Sequence, residues 1–308
     1  MNTTTARARF QQARGSNKVL AWVILIFLAL VWGSSFILIK RGLESFSAMQ
    51  VGGLRLVIAG IFVTPLIWGK FRKIKKEEWK WILLVGVIGN ALPAVLFPLA
   101  ETHLNSASAG VLNVMSPIFV LLFGVALFGF RFTTLQVIGV ALGFGGVLML
   151  ILLGDQSVNL LDHVLYAGAA VLATVGYGLS TNVMKRYLGR VPTTLAPSFA
   201  LFFMAIPYAI YLLLWADLGA VFEADAAHAW QSFSYIALLG ILGTAISLVL
   251  FYKLIQITEP IVAASVTYLI PIVALFWGWM DGESLTSLQY LGMAVIIAGV
   301  YLVNRKKT

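Results

Sequence analysis

Ten runs of this sequence, near residues 19–39, 48–69, 81–100, 106–128, 134–153, 163–184, 195–215, 231–255, 259–280 and 287–303, are apolar over about the length that a helix needs to cross a hydrocarbon layer ~30 Å thick. With 60% hydrophobic residues, 11% charged and a mean hydropathy of +0.95, too little polar surface exists to cover a soluble globule of 308 residues. The chain is therefore expected to be an all-α, multi-pass membrane protein. The first run follows Arg7, Arg9, Arg14 and Lys18 but is too long for a signal peptide and lacks a small-residue cleavage site, so it is expected to be retained.

Charge sets the expected orientation. With the N-terminus in the cytoplasm and ten spans, 18 of the 21 Lys and Arg residues fall inside; only Lys40 and Arg41 fall outside, and Arg55 lies within a span. Nine of the twelve acidic residues fall outside. Such clustering between apolar runs reads as membrane orientation and not as nucleic-acid binding, and places both termini in the cytoplasm. The absence of cysteine rules out disulfides and thiol chemistry.

The sequence also repeats. WGSSFILIKR at 32–41 returns as YGLSTNVMKR at 177–186, aligning Trp32 with Tyr177, Ser35 with Ser180 and Lys40-Arg41 with Lys185-Arg186 at a shift of 145. A shift of 154 pairs Gly86, Gly89, Pro117 and Gly124 with Gly240, Gly243, Pro271 and Gly278, and a shift of 153 pairs Gln136, Gly139 and Gly146 with Gln289, Gly292 and Gly299. The organisation expected is a basic tail (1–18), a first five-helix repeat (19–154), a second (155–303) and a basic tail (304–308). Five is odd, so the second copy enters the bilayer from the opposite side. Two inverted repeats are an architecture of secondary transporters.

The pattern of Pro117, Gly124, Gln136, Gly139 and Gly146, repeated as Pro271, Gly278, Glu283, Gln289, Gly292 and Gly299 behind the WGSSF stretch, resembles the EamA-like branch of the drug/metabolite transporter superfamily over residues 20 to 303. The resemblance implies ten helices in two inverted halves, a central cavity and outward transport of small metabolites, often amino acids. It also implies an acidic residue ending the fourth helix of each half; Glu283 supplies one, whereas the first half reads Phe128, Gly129, Phe130, Arg131. Residues 19–39 hold no Asp or Glu, so the coupling carboxylate of the small multidrug relatives is absent.

Helical spacing sorts the candidate substrate residues onto faces. Asn90 and Phe97 share a face of the third span, and Thr244 and Phe251 the matching face of the eighth; Asn113 and Thr267 lie on matching stripes of the fourth and ninth, with Trp32 and Ser35 on the first and Tyr177 on the sixth. Polar groups facing lipid are costly, so these faces are expected to meet a cavity or another helix and to suit an apolar or aromatic solute held by a few hydrogen bonds. A hydroxyl satisfied by its own helix is the competing reading for any single Ser or Thr. Arg55, Glu101 and His103 are candidates for coupling or pathway charges, and Pro117 and Pro271 for hinges. Gly139 and Gly143 read as a helix-packing GxxxG, and Trp68, Trp79, Trp81, Trp215 and Trp230 as interfacial anchors.

No HExxH, G-x-S-x-G or P-loop occurs, and the three histidines show no metal-ligand spacing, so no enzyme activity, cofactor or metal is expected. The expected partners are a small-molecule substrate and the lipid bilayer, with no nucleic acid and with a homodimer left open. A carrier exporting metabolites across the inner membrane by alternating access is the reading drawn. A passive channel or facilitator is the alternative, followed by a lipid translocator and a non-transporting scaffold.

Overall fold

The computed structural model describes residues 3–104, 106–152, 164–280 and 287–305. Glu283, Asp281, Asp155, Asp162 and His163 lie outside the described residues, as do Lys306 and Lys307. The described residues are helical throughout, joined by turns and short loops, with no strand among them.

The helices are α1 (Thr3–Leu43), α2 (Ala48–Ile67), α3 (Lys76–Gly86), α4 (Leu92–Glu101), α5 (Ser106–Asn113), α6 (Ser116–Ala126), α7 (Thr134–Leu152), α8 (Val164–Tyr187), α9 (Leu195–Leu214), α10 (Leu218–Ala224), α11 (Ala226–Leu238), α12 (Ser247–Ile257), α13 (Pro260–Ala264), α14 (Ile270–Met280) and α15 (Ser287–Asn304). A π-helical segment, Val87–Ala91, joins α3 to α4, and a second, Leu239–Ile246, joins α11 to α12. Six helical runs are long and apolar enough to cross a membrane: Val19–Leu43, Ala48–Ile67, Lys76–Glu101, Val164–Tyr187, Leu195–Leu214 and Ala226–Ile257. Four shorter apolar runs, Ser116–Ala126, Thr134–Met149, Pro260–Val273 and Tyr290–Asn304, accompany them.

Local chemistry sets several boundaries. Ser47 and Gln50 close a capping box at the start of α2, and the Gln50 amide continues to the Ala216 carbonyl (2.6 Å), tying the start of α2 to the chain just past α9. A turn after Asn113 separates α5 from α6, with Pro117 as the second residue of α6. Pro271 likewise is the second residue of α14, behind a short 3-10 segment, Ser265–Tyr268. Each proline lies just beyond an interruption, where its missing N–H costs little.

Contacts made by one half recur in the other. α2 lies along α9 and α7 along α15; α1 meets α14 as α8 meets α6, and α1 meets α12 as α8 meets α4. Glycines set the close approaches. A Cβ on Gly139 would stand 2.7 Å from the Gly299 carbonyl and one on Gly146 2.9 Å from that of Gly292, so α7 and α15 touch backbone to backbone. A Cβ on Gly89 would stand 2.6 Å from the Ser180 hydroxyl, and one on Gly243 3.1 Å from that of Ser35. Each π-helical segment thus rests on a serine of the opposite half, and the two serines are the pair aligned in the sequence repeat.

Of the tryptophans expected at the interface, Trp68, Trp215 and Trp230 are exposed. Trp79 instead packs edge-on to Phe199 (4.9 Å), and Trp81 stacks on Tyr187 (3.8 Å).

Candidate functional site

A π-helical turn leaves carbonyls without the usual i+4 partner, and polar side chains answer them here. The Asn90 amide donates to the Val85 carbonyl and the Thr244 hydroxyl to the Leu239 carbonyl, each five residues back and each at 3.1 Å. Asn90 and Thr244 are aligned in the repeat. Both line one cavity, and the irregular turns carry them there.

All nine residues expected on the substrate faces line this cavity: Trp32, Ser35, Asn90, Phe97, Asn113, Tyr177, Thr244, Phe251 and Thr267. Arg55 lines it too. The cavity opens to solvent, with about 990 Å³ of empty space counted out to its opening. Its apolar surface is organised by rings. Trp32 meets Phe251 edge-on at 5.2 Å, Phe36 meets Phe97 edge-on at 5.8 Å, and Phe97 stacks with Tyr177 at 5.9 Å. The Trp32 indole N–H donates to the Gly243 carbonyl (2.9 Å), inside the second π-helical segment, which locks the ring in place.

The hydroxyls on the wall are committed to backbone. Ser35 donates to Val31, Ser180 and Thr181 to Tyr177, Ser116 to Asn113 and Thr267 to Ala264, at 2.7–3.1 Å. Their protons are engaged, so they offer a solute lone pairs. The backbone-bonded reading thus holds for these residues without removing them from the cavity.

Arg55 is half-buried on α2, where a Cβ on Gly240 would stand 3.0 Å from the Arg55 carbonyl. That close approach sets its Nε against Thr244 Oγ1, to which it donates at 2.6 Å. The Tyr177 ring and the Glu101 carboxylate both lie within electrostatic reach of the guanidinium. Glu101 and His103 do not line the cavity; His103 is exposed, stacked on Tyr166 (3.6 Å) and bonded to the Thr102 hydroxyl (2.8 Å). Thr174, on the face shared with Tyr177, is fully buried and bonds to Val171.

Sequence reasoning passed over Phe36, Ser116 and Ser180, which also line the cavity. Helical spacing held the signal, since they lie four, three and three residues from Trp32, Asn113 and Tyr177. A second polar cluster, at the ends of α8 and α12, carried no such signal. There the Lys185 ammonium donates to the Ile255 (2.9 Å) and Thr258 carbonyls at the C-terminal end of α12, within reach of Glu259, and the Gln136 amide donates to Glu259. Among the described residues no group of three His, Cys, Asp or Glu is placed to hold a metal.

The sequence model of the EamA-like transporter family matches residues 20–152 and again 165–305. The chain belongs to the EamA-like transporter family. Its relatives in that family include YedA of Escherichia coli (strain K12), described as an uncharacterized inner membrane transporter, 29% identical over 92% of this chain and 90% of that one. A probable terminal-alkyne amino-acid exporter of Streptantibioticus cattleyicolor is 26% identical, with 92% of each chain covered. An uncharacterized transporter of Archaeoglobus fulgidus is 25% identical over 93% of this chain and 99% of that one. A solved crystal structure at 17% identity shares the fold, with a TM-score of 0.71 over 92% of this chain and 95% of that one. The EamA-like assignment makes the chain a membrane transporter, and it is the relatives' family, not a catalytic motif, that describes its activity.

Proposed function

We propose that the protein is a secondary carrier that exports small organic metabolites, such as amino acids or related compounds, across the inner membrane by alternating access. The observation that carries this reading is the cavity, lined by repeat-equivalent residues of both halves: Trp32 and Tyr177, Asn90 and Thr244, Phe97 and Phe251. Six long apolar runs and four shorter ones support a count of ten spans, and the recurring contacts and the family's two successive matches support two inverted five-helix repeats. The Lys and Arg count supports cytoplasmic termini. The names of YedA and of the Streptantibioticus exporter support the membrane and the substrate class.

Two repeats in different local states are what alternating access requires. Lys40 and Lys185 are equivalent in the repeat, yet Lys40 is exposed while Lys185 is half-buried over the end of α12. In this reading the Lys185 cluster fastens one end of the cavity, and release of Lys185 accompanies the opposite state. Pro117 and Pro271, beside the interruptions in their helices, serve as the hinges.

Purified protein in proteoliposomes, offered labelled amino acids and cationic aromatic compounds with and without a pH gradient, tests the proposal. Saturable, competitive uptake of one class supports the carrier, and gradient dependence supports proton coupling, with Glu101 and His103 the first residues to replace. Flux linear in concentration supports a channel instead. Folded protein that moves none of the panel counts against the carrier.

A further inference from the structure

We infer that Arg55 is the specificity-determining residue of the cavity and that the group it recognises is a carboxylate, borne on an apolar or aromatic body. This rests on the carrier reading for its physiological meaning, but the binding itself is testable without transport.

Three observations converge on it. The Arg55 Nε donates to Thr244, whose own proton is engaged by Leu239, so Nε–H is fully used and the side chain is oriented by the second π-helical segment. The guanidinium has four further N–H groups on its two terminal nitrogens, and Nε–Thr244 is its hydrogen bond to the described residues. Arg55 lines the cavity, and a guanidinium held at Nε presents its two terminal nitrogens as a planar fork, the geometry that matches a carboxylate bidentately. The rest of the wall is neutral: among the described lining residues Arg55 is the charged one, beside Trp32, Phe97, Tyr177 and Phe251. Glu101 lies outside the lining and acts on Arg55 electrostatically.

A solute entering this cavity meets a half-buried cation with donors to spare, aromatic rings, and hydroxyls that present lone pairs. A carboxylate satisfies the fork; its apolar body takes the ring surface; an ammonium, if present, meets only the lone pairs and ring faces. The carboxylate is therefore required and the ammonium is not. A matched amine lacking the carboxylate meets like charge at close range and no acid on the wall.

Isothermal titration of the purified full chain in detergent with 3-phenylpropanoate, phenylalanine, phenethylamine and 3-phenylpropanol tests this on the unaltered protein. The acid and the amino acid are expected to bind, and the amine and the alcohol to bind about tenfold or more weakly. Arg55→Gln is expected to abolish the preference for the acid, and Arg55→Lys, which keeps the charge but not the fork, to retain part of it. Thr244→Val frees Nε without removing charge and is expected to weaken acid binding less than Arg55→Gln. Amine or alcohol binding as tight as that of the acid, no acid binding at millimolar concentration to folded protein, or an undiminished acid preference in Arg55→Gln overturns the inference. Acid-selective binding without flux in proteoliposomes would leave the inference standing and reject the carrier; saturable transport of the amine alone would do the reverse.

Discussion

At the scale of single residues, the polar side chains of this protein divide by whether their partners are local. Ser35, Thr181 and Thr267 bond to their own helices, a habit legible in sequence because a hydroxyl reaches back one turn. The Tyr252 hydroxyl behaves otherwise: it is buried and has no hydrogen-bond partner among the described residues. Tyr252→Phe keeps the ring and removes an unsatisfied group, so the thermal unfolding midpoint in detergent is expected to hold or rise; a fall would show that the hydroxyl is bonded in solution. Asp225 shows the effect of a satisfied charge. Its carboxylate caps α11 by accepting the His228 backbone N–H (3.1 Å) and then the His228 ring N–H, which hold its pKa below the ordinary value of 3.8. A depressed carboxyl contributes stability above that ordinary value and loses it as pH falls through its own lower pKa. Asp225→Ala is therefore expected to speed amide exchange at the start of α11 at neutral pH, with the difference from the unaltered protein closing below about pH 3.8.

Among the elements, glycine placement decides how close helices come. Gly139 and Gly145 are in the same helix, α7, but a Cβ on Gly139 would meet the Gly299 carbonyl at 2.7 Å, whereas one on Gly145 would meet nothing within 4 Å. Gly139→Val is expected to push α7 from α15 and cost about 1–3 kcal/mol, read as a lowered midpoint, while Gly145→Ala leaves it unchanged. Equal effects would remove the backbone contact as their cause. The GxxxG spacing was visible in the sequence, but the partner of Gly139 was not, since spacing fixes a face and not what lies against it. The π-helical segments were equally hidden: Gly86-x-x-Gly89 and Gly240-x-x-Gly243 signal close packing, and only the structure shows the extra residue per turn that sets Asn90 and Thr244 towards the cavity.

Taken whole, the molecule joins two similar halves whose ends differ. If Lys185 fastens one end, Lys185→Ala is expected to raise the labelling rate of a cysteine introduced at Ile255, which is 1% exposed here; an unchanged rate would show that this end is held by apolar packing alone. The chain has no cysteine, so such labels report without background. In intact cells, Asp217→Cys is expected to react with an impermeant maleimide and Lys73→Cys only after permeabilisation; the reverse pattern would invert the proposed topology. The sequence alone determined the membrane environment, the duplication and the faces of the substrate candidates, because hydropathy, glycine order and helical period are properties of position along the chain. The tertiary structure decided that nine residues from six separate runs share one cavity, that Thr244 orients Arg55, and that Lys185 is engaged over the end of α12 while its repeat-equivalent Lys40 is exposed. Those outcomes depend on which helices meet across the fold, as where Gly240 comes against the Arg55 carbonyl, and no periodicity within a single helix encodes its neighbour.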